Sequence, residues 1–408
     1  MRRVVVTGMG GVTSLGNDWD TIKTKLKSGE TGIRYMDDWD QYSDLGTRLA
    51  GPATDFSVAQ RYSRKQMRTM GPVAEMAVYA TECALQDAGL IGDPILRSGR
   101  IGVAYGSSFG STRPVLSFAS LIIDGTLKKL SGTSYIKMMS HTAAVNIGLF
   151  FRLTGRIIPT SSACTSGSQG IGYAYEAVKF GLQDVMIGGG ADELCPTHAA
   201  TFDTLFATSL RNKEPETSPR PFDKDRDGLV IGEGAGTLIL EELNHAKGRG
   251  APIYAEVVGF ATNSDGSHVT QPDASTMEIA LRDALNSAAL PPEAIGFVNA
   301  HATATDDGDI AESHATAAIF GAAMPIHSLK SYFGHTLGAC GATEAWLGIE
   351  MMRENWVAAT ANLDTIDDRC AELDYVRDSV RPLEVEYLMS NNFAFGGINT
   401  SLIFKRWD

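Results

Sequence analysis

Hydrophobic residues along this chain form short runs separated by longer segments of helical periodicity. The runs are rich in β-branched residues, as is typical of strands buried on both faces, and they span residues 4–7, 101–105, 185–187, 237–240, 253–258, 295–299 and 401–404. Glycines follow the first run, where we expect a turn. Apolar positions recur at helical spacing over residues 73–88, 276–289 and 310–320. Alternating buried strands and helices predict a layered α/β fold.

Two stretches of the chain resemble later stretches of the same chain. "ALQDAGL" before "RIGVAYGSS" is similar to "ALNSAAL" before "AIGFVNAHA". "CTSGSQG", from Cys164, shares one threonine and two glycines with "HTLGACG", from His335. Internal similarity is the signature of a repeated unit, although two glycine-rich windows can also agree by chance. We predict that Cys164 and His335 begin equivalent helices in two copies of one strand-to-helix unit.

The start of a helix has a defined electrostatic effect on a titratable side chain. Unpaired amides and the aligned peptide dipoles place partial positive charge there. This field is expected to lower the pKa of the Cys164 thiol and to favour the nucleophilic thiolate. At His335 the same field disfavours imidazolium, so a neutral ring able to donate a hydrogen bond is expected. The pair therefore predicts nucleophilic chemistry.

Composition narrows the possible functions. The chain has 408 residues, 43% of them hydrophobic, and a net charge of -13, which argues against nucleic acid or an anionic membrane as a general partner. Its five cysteines are scattered without C-x-x-C spacing, so neither a disulfide framework nor a metal site is predicted. No apolar run is long enough to span a membrane and no signal peptide is recognised. A cytoplasmic globular protein is expected.

Three further motifs carry chemical groups. "HATATDDGD" places His301 at the end of a predicted strand, "LKSYFGH" holds Lys330 close to His335, and "NNFAFGGIN" places two glycines after Phe395. In this order, and together with "VVVTGMGGVTSLG", "SSACTSG" and "PRPFDKDRDGLVIGEGAG", these motifs resemble the β-ketoacyl-acyl carrier protein synthases, the elongating condensing enzymes of the thiolase superfamily. The resemblance extends over essentially the whole chain.

The resemblance implies a fold and a reaction. The fold would be a thiolase-like five-layered αβαβα arrangement of two pseudo-symmetric halves, residues 1–250 and 251–408. The reaction would be a decarboxylative Claisen condensation of an acyl-enzyme thioester with malonyl-acyl carrier protein, giving 3-oxoacyl-acyl carrier protein. No resident cofactor is implied, because 4′-phosphopantetheine arrives on the carrier. The family forms homodimers, and a heterodimer with a related subunit is the alternative.

The resemblance also implies residue roles. Cys164 would be the nucleophile, and its backbone amide with that of Phe395 would form the oxyanion hole. His301 and His335 would bind the malonyl thioester carbonyl, oriented by Lys330 and Glu312. The implied substrate-binding residues are Thr303, Thr305, Asp309, Ser108, Phe109, Phe202, Gly396 and Gly397.

An acidic carrier needs a local basic surface on this acidic chain. The resemblance assigns that role to Arg64, Lys65, Arg68, Lys128 and Lys129. The alternative is an ordinary solvated helix face.

Several positions depart from the family pattern. Ala302, Ala304 and Ala394 stand where glycine is usual, Asn392 replaces a usual serine, and Phe109 replaces smaller residues or isoleucine along the acyl pocket. These departures put housekeeping fatty-acid elongation in doubt and suggest a specialised pathway, such as aryl polyene synthesis. Both pathways stay open from the sequence.

Two other functions remain open. A chain-length-factor-like partner subunit would have lost the nucleophile, so the retention of Cys164 argues against it. A thiolase-like acyl transferase would use a second cysteine as a base, and Cys340 does not match that pattern. Acyl length and saturation cannot be predicted from the sequence.

Overall fold

The computed structural model describes residues 1–127 and 130–408. The strands are β1 Val4–Val12, β2 Arg34–Tyr35, β3 Leu49–Gly51, β4 Ile101–Gly106, β5 Ile157–Thr160, β6 Val185–Asp192, β7 Ile231–Gly232, β8 Gly234–Glu242, β9 Ala255–Ser264, β10 Ile295–Asn299, β11 Pro325–His327, β12 Trp356–Val357, β13 Asp374–Tyr375, β14 Arg381–Pro382, β15 Tyr387–Ala394 and β16 Ile398–Arg406.

The helices alternate with these strands, as the hydrophobic pattern predicts. They are α1 Trp19–Ser28, α2 Pro72–Asp87, α3 Val115–Asp124, α4 Gly132–Met138, α5 Thr142–Phe151, α6 Ser166–Lys179, α7 Pro196–Asp203, α8 Leu243–Gly248, α9 Ala274–Ala288, α10 Asp306–Phe320, α11 Lys330–Phe333 and α12 Cys340–Arg353. Short 3₁₀ helices lie at Asp37–Gln41, Gln66–Thr69, Pro94–Arg97, Pro215–Thr217, Pro292–Ala294 and Leu337–Ala339. None of the helices in the described ranges is long and apolar enough to cross a membrane.

The large sheet consists of two copies of one topology. In the first half the spatial order is β5-β4-β6-β8-β1, and in the second half it is β11-β10-β15-β16-β9. In both halves the first three strands are parallel, and the last two join them in antiparallel pairs. β1 and β9 pair with each other and connect the halves, while β13 adds an edge strand beside β11.

Helices complete five layers around these strands. α2 and α5 cover the first half of the sheet and contact each other, and α9 and α10 do the same for the second half. Between the halves, α6 and α12 pack against each other and contact strands of both halves. The predicted αβαβα fold class is therefore confirmed. The boundary at residue 250 stays a prediction.

One predicted turn is part of a strand. We expected a glycine turn after residue 7, but β1 continues to Val12 and is buried throughout. The glycines permit this because neighbouring elements touch the backbone. A Cβ on Gly8 would lie 2.2 Å from the Ala84 carbonyl oxygen of α2, and one on Gly11 would lie 2.4 Å from the Trp346 ring of α12.

The same close packing predicts a stability effect at Gly236 of β8. A Cβ there would lie 2.5 Å from the backbone carbon of Ala342 and the backbone nitrogen of Thr343, and neither backbone atom can move aside without shifting α12. We expect Gly236→Ala to lower the free energy of unfolding by about 1–3 kcal/mol, the usual cost of overpacking. The melting temperature in thermal unfolding measures this loss of stability. Gly248→Ala is the control, since a Cβ there meets nothing within 4 Å; equal melting temperatures for the two variants would contradict the prediction.

Candidate active site

Cys164 lies at the turn between β5 and α6. The chain enters the helix through Ala163, whose φ of 49° lies in the left-handed region that few non-glycine residues adopt. α6 begins two residues after the cysteine, at Ser166. The Cys164 side chain is buried. The structure thus places this thiol at a helix start, where the sequence predicts it.

His335 occupies the corresponding turn of the second half, with two differences. The short helix α11, Lys330–Phe333, lies between β11 and this turn. A 3₁₀ turn, Leu337–Ala339, separates it from α12, which begins at Cys340. The backbone N–H of His335 donates to the Val230 carbonyl at 2.7 Å. His335 therefore precedes a 3₁₀ turn by two residues and α12 by five, whereas Cys164 precedes α6 by two.

His301 follows β10, and carboxylates of α10 hold the backbone of its loop. Glu312 accepts the N–H of His301 at 2.8 Å and that of Ala302 at 2.6 Å. Asp309 accepts the N–H of Ala304 at 3.1 Å. Ala304 has a φ of 68°, which explains why glycine suits this position. Both carboxylates act on the loop backbone and not on the imidazole.

The predicted nucleophile and the two predicted catalytic histidines meet in one cavity. His335 Nε2 lies 2.9 Å from Cys164 Sγ. The His301 and His335 rings are 5.2 Å apart and nearly perpendicular, at 86°. All three residues are buried and line a cavity of about 550 Å³. The thiol and both imidazoles can therefore act on one bound molecule.

Two backbone amides act on the sulfur. The N–H groups of Phe395 and of Cys164 itself favour the thiolate and act to lower the pKa of the thiol. Phe395 precedes Gly396 and Gly397, which both have positive φ, and the Gly396 N–H donates to the Val269 carbonyl at 2.8 Å. A pair of donors in this position can stabilise an oxyanion formed at a carbonyl bonded to the sulfur.

Burial controls the protonation of the thiol. Desolvation raises the pKa of Cys164 to about 11, although the two amides and the charge of Lys330 act in the opposite direction. The predicted lowering of this pKa is therefore wrong. The helix start was expected to lower the pKa of the thiol, but loss of water around the sulfur is the largest influence on that pKa and raises it.

The two imidazoles are neutral. Burial lowers the pKa of both His301 and His335 well below the ordinary value, and the charge of Lys330 lowers both further. The neutral state predicted for His335 is confirmed in direction, and its largest causes are desolvation and the charge of Lys330.

Lys330 forms a buried ion pair that the sequence analysis did not identify. Its Nζ donates to Glu344 of α12, and both side chains are fully buried. Burial disfavours the charged lysine, but Glu344 overrides it and leaves the pKa of Lys330 above its ordinary value. An acidic residue inside the apolar run "GACGATEAWLGIEMM" was the available signal, because a buried carboxylate requires a cation.

Arg226 is a second residue that sequence reasoning missed. Its side chain is fully buried, and it donates to the carbonyls of Thr305 at 3.1 Å and Asp306 at 2.9 Å. It also pairs with Asp367 at 2.6 Å. Arg226 therefore fixes the far end of the loop that begins at His301.

The predicted substrate-binding residues divide into two groups. The first group lines the cavity and comprises Thr303, Thr305, Phe202 and Gly397. The second group lies outside the lining. In it, Asp309 lies behind the loop that begins at His301, and Gly396 is next to the lining. Ser108 and Phe109 are outside the lining: the Ser108 amide donates to Asp192 at 3.0 Å, and the Phe109 ring is 45% exposed. Within this chain, neither of these two residues shapes the cavity.

The predicted docking residues are only partly described. Arg64, Lys65 and Arg68 are exposed in and beside the 3₁₀ helix Gln66–Thr69. α4 packs against that helix, and Lys128 and Lys129, a few residues before α4, lie outside the described residues.

Metal binding was not expected, and that prediction stays open. In the described ranges, the donor atoms close enough to share an ion belong to Cys164, His301 and His335, all within 4.8 Å of one another. Cys340 also lies nearby, but its thiol donates to the Cys164 carbonyl at 3.3 Å, which is a packing contact.

Two family models match the chain. The model for the N-terminal domain of β-ketoacyl synthases matches residues 1–246, and the model for their C-terminal domain matches residues 254–364. Among curated relatives, 3-oxoacyl-[acyl-carrier-protein] synthase 2 of Vibrio cholerae is 39% identical over 413 residues, covering 99% of each chain.

Solved structures agree with these matches. A β-ketoacyl synthase from Burkholderia phymatum superimposes with a TM-score of 0.99 at 58% identity, over 100% of both chains. A type II polyketide ketosynthase chain, from a complex with its acyl carrier protein and a bound hexaketide, superimposes with a TM-score of 0.88 at 28% identity over 100% of both chains.

The raised pKa of the Cys164 thiol predicts how its rate of alkylation depends on pH. An alkylating agent reacts with the thiolate, so inactivation by iodoacetamide should keep accelerating from about pH 7 to about pH 10, by about tenfold per unit, as expected below a raised thiol pKa. Rates of activity loss, checked by mass spectrometry of Cys164, measure this. Cys164→Ser reports labelling of the other cysteines. A rate that levels off near neutral pH would show a preformed thiolate and contradict the prediction.

Proposed function

The chain belongs to the β-ketoacyl synthase family, and on that premise we propose how its residues divide the reaction. The reaction itself is the decarboxylative condensation of an acyl-enzyme thioester with a malonyl thioester on acyl carrier protein. The enzyme is an acyltransferase. What remains to be assigned is which side chain acts in each half reaction.

In the first half reaction, Cys164 accepts the acyl group. The sulfur attacks the carbonyl carbon of the acyl thioester while its proton passes to His335 Nε2, 2.9 Å away. The negative oxygen is held by the amides of Cys164 and Phe395. The carbon–sulfur bond to pantetheine then breaks, and the departing sulfur takes the proton from His335. Atoms and charge balance without an external base.

In the second half reaction, malonyl thioester enters the emptied cavity. Its carboxylate leaves as carbon dioxide, and the electrons of the broken carbon–carbon bond form an enolate whose oxygen accepts hydrogen bonds from His301 and His335. The enolate carbon attacks the acyl carbonyl, and the bond to Cys164 breaks with its electron pair on the sulfur. The resulting thiolate takes up one proton from solvent, which balances the carboxylate lost as carbon dioxide. Neutral imidazoles suit this role because they donate hydrogen bonds without quenching the carbanion by proton transfer.

One observation carries this assignment: a buried thiol, two neutral imidazoles and two amide donors converge in one cavity. A chain-length-factor-like subunit would not need this complete set. A thiolase-like transferase would need a second cysteine aimed at the substrate, whereas Cys340 donates to a backbone carbonyl. Condensation is the function that the geometry supports.

The pathway is a separate part of the proposal. Ala302 and Ala394 add methyl groups to the cavity lining where glycine is usual in the family. We propose that this narrower lining selects among acyl chains, as a specialised synthase such as one for aryl polyenes requires. Phe109 does not narrow the cavity within this chain, because its side chain lies outside the lining.

Carrier docking and self-association complete the proposal. The exposed charges of Arg64, Lys65 and Arg68 suit an acidic carrier.

An exposed apolar surface on α3 bears on the quaternary structure. Leu116, Ile122 and Ile123 of α3 are 69%, 85% and 78% exposed, and such apolar surface is typical of a protein contact. We propose a homodimer with α3 at its interface, and a cytoplasmic location.

Removing each histidine should separate the half reactions. We expect His301→Ala to lose condensation by about 10²- to 10³-fold, the usual effect of one lost oxyanion donor, while Cys164 is still acylated. His335→Ala should slow both steps, because its nitrogen also receives the thiol proton. Intact-protein mass spectrometry measures acylation, and release of labelled carbon dioxide measures condensation. Equal loss of acylation in the two variants would refute this division.

Charge reversal tests the docking residues. Arg64→Glu combined with Lys65→Glu should raise KM for the carrier substrate several-fold with little change in kcat, and the difference should shrink as salt screens the contact. Arg282→Glu, an exposed position on α9 in the outer layer of the other half, is the control. An unchanged KM in the double variant would remove these residues from the docking surface.

A further inference from the structure

Asn392 joins two parts of the catalytic cluster that otherwise do not touch. It lies on β15 and is fully buried. Its Nδ2 lies 2.8 Å from Glu344 Oε2 and 3.4 Å from His301 Nδ1. Through this amide, the Lys330–Glu344 ion pair reaches the ring of His301.

The orientation of the amide follows from its neighbours. The Glu344 carboxylate, paired with Lys330, only accepts hydrogen bonds, so the amide must turn its NH₂ group toward it. Oδ1 faces α12 at Gly341, where a Cβ would lie only 2.4 Å from that oxygen. A flipped amide would instead place Oδ1 against the carboxylate, two acceptors with no hydrogen between them. Gly341 therefore leaves space for the favourable orientation.

This orientation selects one form of the His301 ring. With one N–H directed to Glu344, the second N–H of the amide is available to His301 Nδ1 at 3.4 Å. The other acceptor within reach, Cys340 Sγ at 3.6 Å, is a weak one, so the imidazole nitrogen is the favoured partner. A neutral imidazole that accepts at Nδ1 carries its proton on Nε2. We propose that Asn392 is a positioning residue that fixes His301 as the Nε2–H tautomer and so makes it a permanent hydrogen-bond donor to the enolate oxygen. This inference rests on the proposed function and deepens it.

His335 lacks such a constraint. Its Nδ1 is buried without a hydrogen-bond partner among the residues that the structure describes. Its tautomer is therefore not fixed, and Nε2 can accept the thiol proton in one half reaction and donate in the other. The two histidines therefore differ in their tautomers. His301 is held as a hydrogen-bond donor at Nε2, whereas His335 can either accept or donate a proton at Nε2.

The charges around His301 agree with a neutral amide at position 392. The ring faces Lys330 and His335, both of which disfavour imidazolium, while Glu312 contacts only the backbone. A carboxylate in place of the amide would accept from Nδ1–H, stabilise imidazolium and lie against Glu344. Asn392→Asp therefore reverses the proposed hydrogen bond with little change in size.

The direct test is nitrogen NMR of protein labelled at histidine. In the wild-type enzyme, the His301 resonances, assigned by their loss in His301→Gln, should show Nε2 protonated and Nδ1 unprotonated. In Asn392→Asp they should show Nδ1 protonated. A wild-type spectrum with the proton on Nδ1 would overturn the inference, whether or not Asn392→Asp folds.

The kinetic test uses two variants. Asn392→Asp should lose condensation by about 10²-fold, the usual effect of one lost donor, with acylation of Cys164 preserved. Asn392→Ser, whose hydroxyl can still donate, should retain more condensation than the aspartate variant. Equal loss in both variants, with acylation lost in parallel, would indicate a packing role and overturn the inference. Absence of condensation by the wild-type enzyme would instead contradict the proposed function itself, so the two failures are distinguishable.

Discussion

The buried ion pair between Lys330 and Glu344 is the interaction on which the active site depends. Both side chains are removed from water, and isolated burial of either charge would be strongly unfavourable. Once paired, the lysine lowers the pKa of both histidines, and the carboxylate orients Asn392. Burial is the larger cause of these protonation states, and this one buried charge reinforces it at both rings.

The duplicated fold explains how distant segments reach that contact. Two equivalent strand-to-helix turns face each other because α6 and α12 pack together between the halves. Glycines allow this approach: a Cβ on Gly167 would lie 2.8 Å from the Gly338 carbonyl oxygen. One turn supplies Cys164 and the other supplies His335, so the packing of α6 against α12 brings the reactive pair within 2.9 Å.

Sequence alone predicts the parts of this site that depend on local pattern. The buried runs, the order of motifs and the equivalence of Cys164 with His335 are visible in the residues themselves. The sign of the thiol pKa shift is not, because it depends on how completely the folded chain excludes water. Glu344 was missed for a related reason: its partner is 14 residues away, across a turn whose path only the tertiary structure defines.

A protonated resting thiol gives the reaction a defined order. With a pKa raised to about 11, the sulfur is a weak nucleophile until a thioester carbonyl occupies the amide donors and His335 can take the proton. After acylation the sulfur carries no proton, and His335 becomes available as a donor to the enolate. The same desolvation that suppresses the free thiolate also keeps both imidazoles uncharged. Burial thus keeps the thiol protonated until the acyl thioester binds, and it keeps both imidazoles neutral as hydrogen-bond donors for the malonyl thioester.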